Sequence, residues 1–163
     1  QFLNRKHSSP CDFDRDGDID LFVGGRVVGY SYGASPRSYL LVNDGKGHFA
    51  DKTVALAPEL REAGMLTEAI WADIDKDGDQ DLFRGGRAIP TQYPKPGISR
   101  LLTGNNGRFV DNTSTICPEL REIGMVTDAV FSDIDNDNDD IDKVRPPLDM
   151  IFLKNFLHMT FVS

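Results

Sequence analysis

The amino-acid sequence predicts an all-β fold of four-stranded antiparallel units in tandem, and three observations carry that prediction. The first is self-similarity. Pro58-Glu-Leu-Arg-Glu-Ala-Gly-Met65 recurs as Pro118-Glu-Leu-Arg-Glu-Ile-Gly-Met125, an offset of 60 residues, and Trp71-Ala-Asp-Ile-Asp75 recurs as Phe131-Ser-Asp-Ile-Asp135 at the same offset. Asp20-Leu-Phe-Val-Gly-Gly-Arg26 recurs as Asp81-Leu-Phe-Arg-Gly-Gly-Arg87, an offset of 61. A constant period of this size marks a repeated structural unit. The one-residue difference falls in the turn at 43–47, whose counterpart at 104–107 is shorter by one, and turns tolerate such changes. The second observation is a succession of short apolar, β-prone runs separated by Gly, Asp and Asn. The third is an Asp-rich loop at the same place in each unit.

In chain order, residues 21–23 leave the first Asp loop as a short apolar strand that ends at Gly24-Gly25. Residues 39–42 and 48–53 flank Asp44-Gly-Lys-Gly47, a hairpin turn in which glycine supplies positive φ. Residues 58–63 read as a short helix, with Pro58 in its first turn and Gly64 at its C-terminal stop. Residues 65–72 form a strand that leads into the next loop. Four short strands per repeat suit one antiparallel blade. The repeats divide as 1–72, 73–132 and a partial, divergent 133–163. Residues 26–37 and 87–96 are long Gly- or Pro-containing loops, where binding specificity would sit.

The chain has 163 residues and 39% apolar content, enough for a packed core and too apolar for a disordered chain. Its net charge is −8, but the charge is local. The windows 12–20, 73–81 and 133–142 hold 5, 5 and 6 acidic residues with only Arg15 and Lys76 as bases, a net −14. The remainder is net +6. Such clustering points to cation sites rather than a general acidic tail. It also argues against nucleic-acid binding. The apolar stretch 148–162 is broken by Asp149, Lys154 and His158 and does not read as a membrane span. Residues 1–10 lack an apolar leader stretch and an initiator Met, as in a mature product or an excised piece. Cys11 and Cys117 have no C-x-x-C spacing and stand at different repeat positions, so they imply neither a zinc site nor a framework disulfide.

The Asp loops carry the chemistry. Asp12, Asp14, Asp16, Asp18 and Asp20 stand at positions 1, 3, 5, 7 and 9 of the first loop. Asp73, Asp75, Asp77, Asp79 and Asp81 do so in the second, and each loop has Gly at position 6. Calcium takes six to eight hard oxygen ligands in forgiving geometry, and a tight loop of this kind can wrap them around one ion. By analogy with other Asp-rich calcium loops, positions 1, 3, 5 and 9 would offer side-chain oxygens and position 7 a backbone carbonyl. Magnesium, which demands a small octahedron, fits less well. An EF-hand is excluded, because position 12 should be a bidentate Glu and is Val23 or Arg84. The third loop offers Asp133, Asp135, Asp137 and Asp139, with Asn138 in place of Gly and Ile141 at position 9. Its closing Asp142 comes one place late.

The pattern D-x-D-x-D-G-D-x-D followed by a strand and Gly-Gly, at 12–26 and 73–87, resembles the FG-GAP/VCBS repeats of integrin-α-like β-propellers. The Pro-Glu-Leu-Arg-Glu-x-Gly-Met and Trp71–Asp75 segments are similar to the cartilage-acidic-protein-like branch. The resemblance spans roughly 11–140. It implies β-propeller-type blades, Ca²⁺ between the first two strands of each, and a secreted, extracellular or cell-surface setting. Propellers close with four to eight blades. Two full repeats and a partial third therefore make an incomplete propeller, completed by missing blades of a longer chain or by other copies of itself, end to end in a fibre. After Asp142 the repeat pattern fades, with residues 151–155 offered as a counterpart of 39–43.

Other chemistry finds less support. His7, His48 and His158 lie beside no nucleophile pattern, and the carboxylates are better used by metal than by glycoside chemistry. Residues 24–29 lack phosphate-loop spacing. Arg26 and Arg87 suit pairing with the Asp loops, and Trp71 suits a core position. Asn112-Thr-Ser114 matches the glycosylation sequon. The expected function is therefore a non-enzymatic, calcium-binding extracellular structural or adhesion module. The alternative is a lectin-like propeller fragment that recognises extracellular glycans or proteins through the 26–37 and 87–96 loops.

Overall fold

The computed structural model describes residues 7–26, 28, 34–62, 64–131, 151–155 and 159–162. The third Asp loop, with Asp133, Asp135, Asp137 and Asp139, lies outside them. Two four-stranded sheets run in chain order with every pair antiparallel. The first holds β1 (His7–Cys11), β2 (Asp20–Gly24), β3 (Tyr39–Asn43) and β4 (Phe49–Asp51). The second holds β5 (Leu66–Ala72), β6 (Asp81–Gly86), β7 (Arg100–Asn105) and β8 (Arg108–Asp111). A third sheet orders β11 (Met159–Val162), β10 (Ile151–Asn155) and β9 (Val126–Phe131). The fold is all-β and blade-like, as its repeats predict. Counted by sheets the unit starts at the strand before each Asp loop; counted by loops it starts one strand later.

Local chemistry accounts for these elements and for three departures from expectation. The strand expected to reach residue 53 stops at Asp51, whose carboxylate accepts both the Thr53 N–H (3.0 Å) and the Thr53 hydroxyl (2.6 Å). That contact turns the chain into the short helix α1 (Thr53–Leu56), which sequence reading missed. The same Asp-x-Thr device sets α2 (Thr113–Ile116). A short 3-10 helix follows each, at Pro58–Glu62 and Pro118–Arg121, the first where a short helix is expected at 58–63, and Gly64 (φ 77°) stands after it as expected. The second departure is β1, whose Ser8-Ser9-Pro10 has little β signature. It forms by register against β2, with Pro10 on a sheet edge where its missing N–H costs nothing. The third is β10, which pairs with β9 as β2 pairs with β1. It takes the second place in its sheet, not the third that likeness to residues 39–43 suggested.

The hairpins differ as their turn lengths require. Asn106 (φ 48°) and Gly107 (φ 75°) form a two-residue turn between Asn105 and Arg108, the positive-φ pair that matches strand twist.

The core repeats with the sequence. Phe22, Leu40, Ala57 and Leu60 of the first unit pack with Leu66 and Ala69 of β5. One repeat on, Phe83, Leu101, Cys117 and Leu120 pack with Val126 and Ala129 of β9. Each sheet face and its helices thus cover the first strand of the next sheet. Full burial of each large side chain contributes about 1.5–3 kcal/mol. Cys117 occupies the place of Ala57, and burial pushes its thiol up to about 11. Both cysteines are free thiols. Among the described residues no helix is long and apolar enough to cross a membrane.

Candidate metal centre

The loops at 12–20 and 73–81 join the first two strands of their sheets and share one internal geometry. Position 4 is left-handed in both (Arg15 φ 62°, Lys76 φ 57°), and so is the glycine at position 6 (Gly17 φ 94°, Gly78 φ 90°). Glycine is suited to that conformation, and the two left-handed steps coil the chain inward. Three amide-to-carboxylate hydrogen bonds fix the coil. Gly17 N–H donates to Asp12 Oδ2 (3.1 Å) and Gly78 N–H to Asp73 Oδ2 (3.0 Å). Asp16 donates to Asp14 (3.4 Å) and Asp18 to Asp16 (2.9 Å); in the second loop Asp77 donates to Asp75 (3.3 Å) and Asp79 to Asp77 (2.8 Å).

Position 9 anchors the loop from within. Asp20 and Asp81 are fully buried. Asp20 accepts from Phe13 N–H (3.4 Å) and Asn43 N–H (2.9 Å). Asp81 accepts from Ile74 N–H (2.7 Å) and Gly104 N–H (2.8 Å). Each carboxylate therefore ties its loop to the third strand of its own sheet.

Of the expected ligands, the structure brings Asp12, Asp14 and Asp20 together in one loop and Asp73, Asp75 and Asp81 in the other. In each trio the carboxylate oxygens lie within 4.8 Å of one another. At that spacing two like charges repel by about 1 kcal/mol in bulk water and about 3 kcal/mol at an effective dielectric of 20. The carboxyl groups respond accordingly. Burial, and secondarily neighbouring aspartates, raises Asp14, Asp20 and Asp75 above the usual range, and burial pushes Asp81 up to about 6.

Asp16, Asp18, Asp77 and Asp79 stand outside the trios. Position 7 has a side-chain role that sequence reading did not assign, a clamp onto the β3–β4 or β7–β8 turn. Asp79 Oδ2 accepts Asn106 N–H at 2.9 Å. The Asp18 carboxylate lies over Gly45, where a Cβ would meet Oδ2 at 2.4 Å. The two loops also touch each other. Arg15 forms an ion pair with Asp79 at 3.2 Å, and its guanidinium lies over Gly78. Among the described residues neither Arg26 nor Arg87 pairs with an Asp loop. Arg15 does so instead, a contact that only tertiary packing reveals.

An aromatic cluster holds the two loops' sheets together. Phe13 stacks on Trp71 with centroids 5.6 Å apart and meets Phe109 edge-on at 5.6 Å. Trp71 donates to the Ser9 carbonyl at 3.2 Å, which makes it a packing residue, as expected. The Asn112 amide nitrogen, where a glycan would attach, donates to the Thr103 hydroxyl at 2.7 Å.

One feature tests whether the residues suit a cation. Asp12 Oδ1 and Asp73 Oδ1 are buried and have no hydrogen-bond partner, in both loops and at the same position. A buried carboxylate oxygen without a donor is costly. Two orphans of the same kind, each beside two further carboxylates, match a hard cation.

Fold and site together define a class: tandem four-stranded blades with an Asp-lined, cation-suited loop between the first and second strands. Residues 12–83 match the family model described as the FG-GAP-like repeat, and that stretch is similar to such a repeat. No curated protein and no solved structure matches the chain significantly.

Proposed function

We propose that this chain is a calcium-binding extracellular structural and adhesion module, non-enzymatic, whose Asp loops hold Ca²⁺ and thereby rigidify the blades. The observation that carries the reading is the pair of buried, partnerless oxygens on Asp12 and Asp73. The donors are all hard oxygens on a loop that can adapt, which favours calcium over magnesium or a softer metal. Asp12, Asp14 and Asp20 would hold one ion and Asp73, Asp75 and Asp81 another, and the ion would supply the charge that offsets their repulsion. The extracellular setting is supported by the character of FG-GAP-like repeats and by the millimolar calcium outside cells, which suits modules with dissociation constants of about 10⁻⁴–10⁻³ M.

Assembly with further blades, of the same chain or of other copies, belongs to the same reading. Leu82 and Leu102 are fully buried beneath the first sheet, whereas their counterparts Leu21 and Leu41 are only half-buried. The outer face of the first sheet is thus the kind of surface that a blade covers one repeat later.

The test is thermal unfolding of the full chain in calcium and in excess EGTA. Calcium at one hundred times its dissociation constant stabilises by about 2.7 kcal/mol per site, so the loaded protein melts higher. Identical melting in the two conditions overturns the reading. Mass in solution with and without calcium tests the assembly.

A further inference from the structure

At the end of the second sheet away from its Asp loop lies a pocket of about 310 Å³. Arg84 and Arg100 line it together with Met65, Ile89, Pro90 and Ile98. The two arginines face each other across β6 and β7 in direct register. Like charges in that arrangement destabilise a sheet. Arg84 is 2% exposed, so little water screens it.

Asp111 pairs with Arg100 through Nη1, and Arg121 also approaches Asp111 at 3.6 Å, so one carboxylate serves two guanidinium groups. The fields of Asp111 and Glu59 also reach Arg84. Arg100 Nε is buried and has no hydrogen-bond partner. A buried guanidinium N–H in that state can still donate, and Arg37 Nε of the first unit is buried and unpartnered in the same way.

The repeat supplies an internal control. At the positions of Arg84 and Arg100 the first unit has Val23 and Tyr39, and it forms the same sheet. There Arg37 pairs with Asp51 from outside the strand and stacks over Tyr39 at 4.7 Å. The blade therefore does not require the arginine pair. Its presence in one unit, beside apolar walls, marks individual chemistry rather than scaffold.

We infer that this pocket binds a small organic carboxylate with a compact apolar body, its carboxylate held by Arg84 and Arg100 and its body by Met65, Ile89, Pro90 and Ile98. The guanidinium fork matches a carboxylate's geometry, and a volume of this size sits at the small end of ligand pockets. The pocket stands apart from the Asp loops, so the inference does not depend on the calcium reading.

The test uses the full chain, calcium present, with benzoate as probe and NMR as readout. Saturable shifts at Ala88, Ile89 and the Arg100 Nε–H are expected. Benzamide, of the same shape without charge, should bind about tenfold or more weakly, the worth of one charge-assisted hydrogen bond. Arg100→Lys should weaken benzoate by a similar factor, and Ile89→Trp, which fills the pocket from its loop, should abolish the shifts while the Asp-loop signals stay in place. No saturable shift up to about 20 mM benzoate, far weaker than a specific site of this size, overturns the inference. So does equal binding of benzoate and benzamide.

Discussion

The two ends of the repeated sheet have diverged to different degrees. At the Asp-loop end, Gly17 and Gly78 donate to Asp12 and Asp73 at 3.1 and 3.0 Å, and the buried Asp20 and Asp81 each accept two backbone amides. At the Gly-Gly end, Val23 and Tyr39 of one unit stand where Arg84 and Arg100 stand in the other. Geometry preserved between units reflects a requirement of the blade itself, here a coiled loop crowded with carboxylates. Geometry that differs while the sheet survives reflects a task carried by one unit alone.

The comparison can be broken at several points. The largest effect is expected where the loops differ, at position 2. Phe13 is 1% exposed within the Trp71–Phe109 cluster, while its counterpart Ile74 is half-buried. Phe13→Ala should cost about 3–5 kcal/mol in urea unfolding, and Ile74→Ala distinctly less. Equal costs would show that the aromatic cluster does not join the blades.

Next come Asp20→Asn and Asp81→Asn, which should act alike. Each places an amide donor against a buried backbone N–H and removes a ligand, so each should cost about 1–3 kcal/mol in calcium. In EGTA the cost should shrink, because the substitution also removes a repelling charge. A cost that is unchanged by EGTA would separate these residues from any ion.

A smaller, pH-dependent difference follows from Asp81. Burial raises its folded pKa to about 6 from 3.8, so in metal-free protein the folded state holds a proton that the unfolded state has lost between these values. The contribution of Asp81 to metal-free stability is therefore greatest below pH 4 and falls as pH rises to 6. A bound cation favours the carboxylate, so the calcium-loaded protein should lack that fall and bind less tightly below pH 6. Melting curves across pH 3–8, with and without EGTA, check both signs. The smallest effect belongs to Arg15→Ala. Its half-exposed pair with Asp79 should contribute about 0.2–1 kcal/mol, detectable at low salt and screened at high salt.

Much of this molecule was legible because local rules and the repeat agree. Alternate aspartates with Gly17 and Gly78 announced the loops, and Gly64 announced the end of a helical turn. What escaped depended on partners distant in sequence or on contacts too small to leave a pattern. Ser8-Ser9-Pro10 becomes strand only because β2 offers a register, and the Asp51–Thr53 contact converts an apparent strand into α1. The Arg15–Asp79 pair joins two loops through blade packing. The trios could be narrowed from five aspartates to three only in space, since burial of Asp20 and Asp81 and the diversion of Asp79 to Asn106 are tertiary facts. The Arg84–Arg100 pair was visible as two letters, but not as neighbours.

A crystal grown in millimolar calcium and measured for anomalous signal gives the most direct answer. Peaks about 2.3–2.6 Å from Asp12 Oδ1 and from Asp73 Oδ1, in both loops, are the expected result. Ordered water or empty density beside both oxygens would contradict it.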